Sequence, residues 1–149
     1  MTIYSKKREE VKGKRDIKRF NYYYMLELSH KKLDVYLLAM ELVKDIYQIT
    51  KLLPKDEQYI LVNQIRRAAV SVCSNIAEGS ARRSKAEKLR FYEISRSSIV
   101  EIDTQLEIAF ILNYFKENEM MNLERKLKSV FNMLSKMITN LQTPLASRS

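Results

Sequence analysis

The side chains best suited to covalent or acid–base catalysis are few and badly placed for it. His30 is the only histidine and Cys73 the only cysteine. A thiol becomes a nucleophile when a base or a positive environment populates its thiolate. Cys73 instead lies among Ser71, Ser74 and Ala77 and reads as a buried packing thiol. His30 precedes the first periodic segment beside Lys31 and Lys32, where a solvated linker residue is expected, not a carboxylate-paired base. One histidine and one cysteine make a poor metal-ligand set. There is no glycine-rich phosphate loop, and the paired Glu-x-x-His motifs of di-iron bundles are absent. These residues argue against an enzyme, a bound cofactor and a small-molecule substrate.

Two other groups could do non-covalent chemistry. Arg82, Arg83, Lys85, Lys88, Arg90 and Arg96 face only Glu87 and Glu93, a local positive excess. They could neutralise phosphates, or pair with the acidic stretch that follows: Glu101, Asp103, Glu107, Glu117 and Glu119 against Lys116 alone. A solvated face is the third reading. The second group is polar and uncharged apart from its end: Gln64, Ser71, Asn75 and Glu78 share one side of a helix with Ala68. Glu78 falls in the last turn before Gly79, where the negative end of the helix dipole disfavours a carboxylate. If buried, Asn75 and Glu78 need partners, since an unpaired group costs roughly 1–3 kcal/mol. Arg82, Arg83, Arg90 and the polar face Ser98, Glu101 and Gln105 are the candidates. The alternative is a solvated face, but small neighbours that admit a close helix favour a buried network, within or between subunits.

Four helices must position these groups. The first is expected over 33–53, with Tyr36, Met40, Val43, Tyr47 and Thr50 as its core stripe. Pro54 ends it, because the ring cannot continue the hydrogen-bond ladder, and opens the second helix over 55–78. Leu61, Ile65, Ala68 or Ala69, Val72 and Ile76 form the second stripe, and Gly79 reads as a left-handed stop. Ser84 and Glu87 have capping-box spacing and start a third helix over 84–112. That helix has two buried-looking faces: Tyr92, Ser95, Ile99, Ile102, Leu106 and Ala109, and Phe91, Ile94, Ser98, Glu101, Gln105 and Ile108. The fourth, over 117–141, keeps Leu123, Leu127, Val130, Leu134, Met137 and Leu141 in a coiled-coil-like rhythm. With no strand-like alternation, the expectation is an all-α, antiparallel up-down four-helix bundle over 30–142. A basic arm (1–29) precedes it and a short tail (143–149) follows.

Bulk composition agrees with one domain of 149 residues carrying a formal charge of +9. Ten Lys and Arg against four acidic residues lie in 1–32, so most of the excess belongs to the arm and not to the body. The arm lacks spaced apolar residues and is expected to be mobile or to order on a partner. Met25 is a second candidate start of translation. No apolar run is long enough to span a bilayer, the N-terminus lacks a signal-peptide core, and a single cysteine suits a reducing cytoplasm. A cytoplasmic protein with no membrane partner is expected.

Several segments together resemble the family of the 23S ribosomal RNA intervening-sequence protein, also called the S23 family. They are 30–36, Leu53-Pro54 with Glu57 and Tyr59, 64–71, and above all Ser74-Asn75-Ile76-Ala77-Glu78-Gly79. Arg82-Arg83-Ser84, Phe91, Ser98, Glu101 and 105–109 complete the match over about 30–141. Cys73 stands where the family more often has another small residue. The resemblance implies an antiparallel bundle similar to members that assemble as ring-like homopentamers, in a ribosomal RNA context. A related bundle family is a basic pentameric accessory to a reverse transcriptase. Two expectations follow. One is a non-enzymatic homo-oligomer that contacts RNA through Arg66, Arg67, Arg82, Arg83, Lys85, Lys88 and Arg90. The other is a protein-interaction scaffold serving a reverse transcriptase or other polymerase.

Overall fold

The computed structural model describes residues 25–144; the basic residues of the arm before Met25 lie outside them. A 3-10 turn, Ser29–Lys32, leads into α1 (Asp34–Ile49), α2 (Leu61–Ala81), α3 (Lys85–Ile111) and α4 (Glu117–Gln142). No strand occurs among the described residues. Contacts run α1–α2, α2–α3, α3–α4 and back from α4 to α1, so the bundle closes on itself with antiparallel neighbours. The most extensive contact is between α2 and α3. Ser80 meets Tyr92 at 3.3 Å, Ser95 donates to the Val72 carbonyl at 2.9 Å, and Gln105 reaches Gln64 at 3.4 Å.

The core is one apolar column in which Leu42, Ile46, Ile65, Ile76, Ile102, Leu106 and Leu134 are fully buried. Each such side chain contributes roughly 1.5–3 kcal/mol relative to exposure. On α1 the buried stripe is Val35, Ala39, Leu42, Ile46 and Ile49, one residue out of phase with the expected one. Tyr36, Met40 and Val43 flank that stripe, and Tyr47 is exposed. Ala39, at the centre of that stripe, is fully buried. On α4 the seam holds through Leu134, and its last buried member is Ile138, with Met137 at the margin.

The helix ends also differ from the sequence pattern. α1 gives way to a 3-10 turn, Thr50–Leu52, where the Thr50 hydroxyl donates to the Ile46 carbonyl at 2.7 Å. After Pro54 comes another 3-10 turn, Lys55–Glu57, so α2 starts six residues later than expected. The Glu57 carboxylate then accepts from the Leu61 amide at 3.4 Å, a reach-back cap.

At the other end, Gly79 does not stop α2. It has an ordinary negative φ, and the helix continues to Ala81. Its role is close approach. A Cβ at Gly79 would lie 2.6 Å from Tyr92 Cε1 and 2.8 Å from Cδ1, so only glycine lets the α3 aromatic sit against the helix. Ser84 caps α3 as its spacing implies, accepting from the Glu87 amide at 3.2 Å. The α3–α4 turn is closed by Asn113, with φ 60. Tyr114 donates to Ala109 and Asn113 to Phe110, the paired bonds of a Schellman ending.

Candidate nucleic-acid interface

An up-down bundle collects its links at two ends. The 3-10 entry with Lys31 and Lys32, the α2–α3 link and the end of α4 share one end, and the α1–α2 and α3–α4 links share the other. The six basic residues of 82–96 start at the first of these ends. Their surroundings separate them into engaged and available groups. Arg82 pairs with Glu78 at 3.0 Å and stacks over the Phe91 ring at 4.9 Å. Lys88 donates to the Gly79 and Ser80 carbonyls at 3.4 and 3.3 Å, a cationic cap on the C-terminal end of α2. Arg96 lies along α4, bonding Ser135 and flanking Phe131. Arg83, Lys85 and Arg90 are exposed and have no ion-pair partner among the described residues.

Arg66 and Arg67 sit elsewhere, along α2. Arg66 Nε donates to Thr50 Oγ1 at 2.9 Å and its Nη2 to the Tyr47 carbonyl at 3.4 Å, while the guanidinium covers the Tyr47 ring at 4.6 Å. It holds the end of α1. Arg67 is exposed on the outer side of α2. The seven candidate cations therefore do not form one patch. The free ones are Arg83, Lys85 and Arg90 at the hairpin end, and Arg67 alone at mid-helix.

The polar side chains of α2 and α3 form two short chains. Asn75 Nδ2 donates to the Ser71 carbonyl at 2.8 Å and to its hydroxyl at 3.0 Å. The Ser71 and Ser98 hydroxyls meet at 2.9 Å, and Ser98 donates on to Ile94. Gln105 and Gln64 make the other chain. Glu78 stays outside, 55% exposed, with Arg82 as its partner. Its apparent conflict with the helix dipole is relieved by that cation one turn on. Glu101 is exposed as well.

His30 and Cys73 are both packed. His30 is 8% exposed and meets Tyr36 edge to face, with ring centroids 4.8 Å apart. It is therefore not the solvated linker residue its neighbours suggested. Burial, then Lys31, holds its pKa below the ordinary value. Burial pushes the Cys73 thiol up to about 12, which keeps it protonated and inert.

One charged group was invisible in sequence because its members are far apart. Lys126 of α4, 19% exposed, reaches Asp45 at 2.6 Å and Glu41 at 3.4 Å on α1, and Asn122 also donates to Asp45 at 3.3 Å. No helix among the described residues is long and apolar enough to cross a membrane.

The geometry defines an all-helical four-helix bundle with a basic hairpin end. The model of the 23S rRNA-intervening sequence protein family matches residues 31–136. The chain belongs to that family. A crystal structure of a protein of unknown function from the S23 ribosomal protein family of Bacteroides thetaiotaomicron superposes with a TM-score of 0.65 at 20% identity, over 70% of this chain and 95% of that one. At that identity the likeness concerns the fold. Comparison with curated proteins returns no match.

Proposed function

We propose that the protein is a non-enzymatic, homo-oligomeric bundle that associates with RNA through the basic hairpin end. The observation that carries this reading is the separation of roles there. Arg82 and Lys88 close the α2–α3 hairpin, while Arg83, Lys85 and Arg90 stay exposed beside it. Exposed, unpaired cations fixed on rigid helix ends suit phosphate contacts, which need position more than sequence reading. The 3-10 entry with Lys31 and Lys32 lies at the same end. The packed states of His30 and Cys73 speak for a binding role over a catalytic one.

Self-association draws support from apolar side chains left on the surface. Ile94 and Ile108 of the second α3 face are exposed, and Ile111 is 75% exposed. Apolar surface of this kind marks interaction sites. The same feature favours the second reading, a scaffold whose partner is a reverse transcriptase or other polymerase. A ring of five copies is the assembly the family suggests.

Solution mass at two salt concentrations, with and without RNA, tests the proposal. It requires an oligomer at both salts and a salt-sensitive gain of mass on adding RNA. A clean monomer contradicts both readings. Protein partners that survive nuclease treatment in a pull-down favour the scaffold.

A further inference from the structure

Away from the hairpin end, two exposed faces of the bundle carry opposite charge. The first is an open groove of about 550 Å³ along the outer side of α2, bordered by Tyr47 of α1. Tyr47, Tyr59 and Val70 leave apolar surface exposed there. Arg67 is exposed in it, with no ion pair among the described residues. Arg66, held by Thr50 and the Tyr47 carbonyl, adds a second positive charge, and no carboxylate lines the groove. The second face is on α3. Val100, Asp103, Glu107, Phe110 and Ile111 are all exposed, and their three- and four-residue spacing sets them on one stripe. Neither of its carboxylates has an ion pair among the described residues, and no Lys or Arg occurs between Ser97 and Phe115. Arg96, one turn before Val100 on that side of α3, bonds Ser135 of α4. The stripe therefore borders α4, whereas the groove borders α1.

We propose that the α3 stripe of one copy docks in the α2 groove of the next, so that each copy presents two different faces to its neighbours. Asp103 and Glu107 then meet the cations of the groove, and Val100, Phe110 and Ile111 cover Tyr59 and Val70. The lengths agree: at 1.5 Å per residue the stripe runs about 16 Å from Val100 to Ile111, and the α2 wall about 18 Å from Val62 to Ser74. Charge complementarity selects a second copy as the occupant. The groove needs an acidic, apolar partner, and the chain carries one in equal number on a different flank. Groove on groove would set cation against cation, and stripe on stripe acid against acid. The contact is therefore head to tail, and copies add until a ring closes. This inference rests on the homo-oligomeric reading above and adds to it the two surfaces and their pairing.

Sedimentation of the full, nuclease-treated chain over a range of concentrations tests the pairing. Wild type should form a species of more than two copies, and added salt should weaken it. Arg67→Glu and Glu107→Arg should each raise the concentration needed for assembly at least about tenfold. Both side chains are exposed and unpaired, so the urea midpoint of each variant should stay at the wild-type value. The double variant Arg67→Glu/Glu107→Arg should recover assembly, and a mixture of the two single variants should assemble in equal proportions. Ile111→Ser should weaken assembly at high salt as well as low. A wild-type assembly that both charge reversals leave unchanged overturns the docking while the homo-oligomeric reading stands. An assembly that stops at two copies overturns it too, because one shared face then suffices. So does a double variant that stays dissociated, or loss of RNA affinity in Arg67→Glu with assembly intact, which assigns the groove to RNA. A wild type that remains monomeric overturns both the docking and the homo-oligomeric reading.

Discussion

The two ends of the bundle use charge in opposite ways. At the end where α1–α2 and α3–α4 turn, acidic groups are engaged in holding the chain. Glu57 caps α2 and accepts from the Tyr114 hydroxyl at 3.0 Å, which joins the two links and raises the tyrosine pKa. Glu119 accepts from the Lys116 amide at 2.8 Å to start α4. Nearby, Lys126 is held between Glu41 and Asp45. What remains outermost includes apolar Ile60, Ile111 and Leu112. At the hairpin end, a glycine–aromatic contact, a serine cap and the engaged cations Arg82 and Lys88 do the structural work, and Arg83, Lys85 and Arg90 stay free of ion pairs among the described residues. Charge that is not needed for the fold is available for a partner.

This contrast can be broken most severely at Gly79. Gly79→Val should destabilise the bundle by about 2–3 kcal/mol, because the new Cβ meets the buried Tyr92 ring. Gly79→Ala should still destabilise despite its better helix propensity. The urea midpoint reads both, and a stabilised alanine variant would mean that the glycine serves no contact. At the other end, Lys126→Met strips Glu41 and Asp45 of their cation. A loss of about 1–2 kcal/mol is expected, reduced from the fully buried case by partial exposure. Ser84→Ala removes the α3 cap and should cost about 1 kcal/mol. Charge reversal at Arg83 and Lys85 should leave the urea midpoint within about 0.5 kcal/mol of wild type, since neither side chain holds the fold.

The smallest effect sharpens the base of the hairpin end. The pKa of His30 is lowered in the folded state, so the unfolded chain binds the proton more readily. Its contribution is present above its unfolded pKa of about 6.5 and is lost as pH falls below it. His30→Phe should flatten that part of the stability profile between pH 7 and 5. An unchanged slope would place the titration on other groups.

Much of the fold was legible because its signals are local. Ser84 and Glu87 are three residues apart, and Leu123, Leu127, Val130 and Leu134 repeat on one stripe, so caps and seam follow from spacing. α1 was misread by one position because 34–49 is apolar around more than half its circumference. Only contact with α2 and α4 selects Ala39 over Met40. Gly79 carries the composition of a stop and the function of a close approach, and only Tyr92, thirteen residues on, distinguishes them. His30 reads as solvated from its charged neighbours, whereas the Tyr36 ring, six residues on, packs against it. The Lys126 group spans more than eighty residues and leaves no pattern in sequence. The candidate cations were found as residue types, but which were free depended on whether a carboxylate or a carbonyl lay within reach.

The central claim is that the free cations of the hairpin end bind RNA backbone. Affinity for a labelled RNA, measured against salt for wild type and the Arg83→Glu/Lys85→Glu variant, tests it most directly. A steep fall with salt in the wild type, and at least a tenfold weaker, less salt-dependent variant, is the expected result. Affinity indifferent to salt, or a variant that binds like wild type, would contradict it.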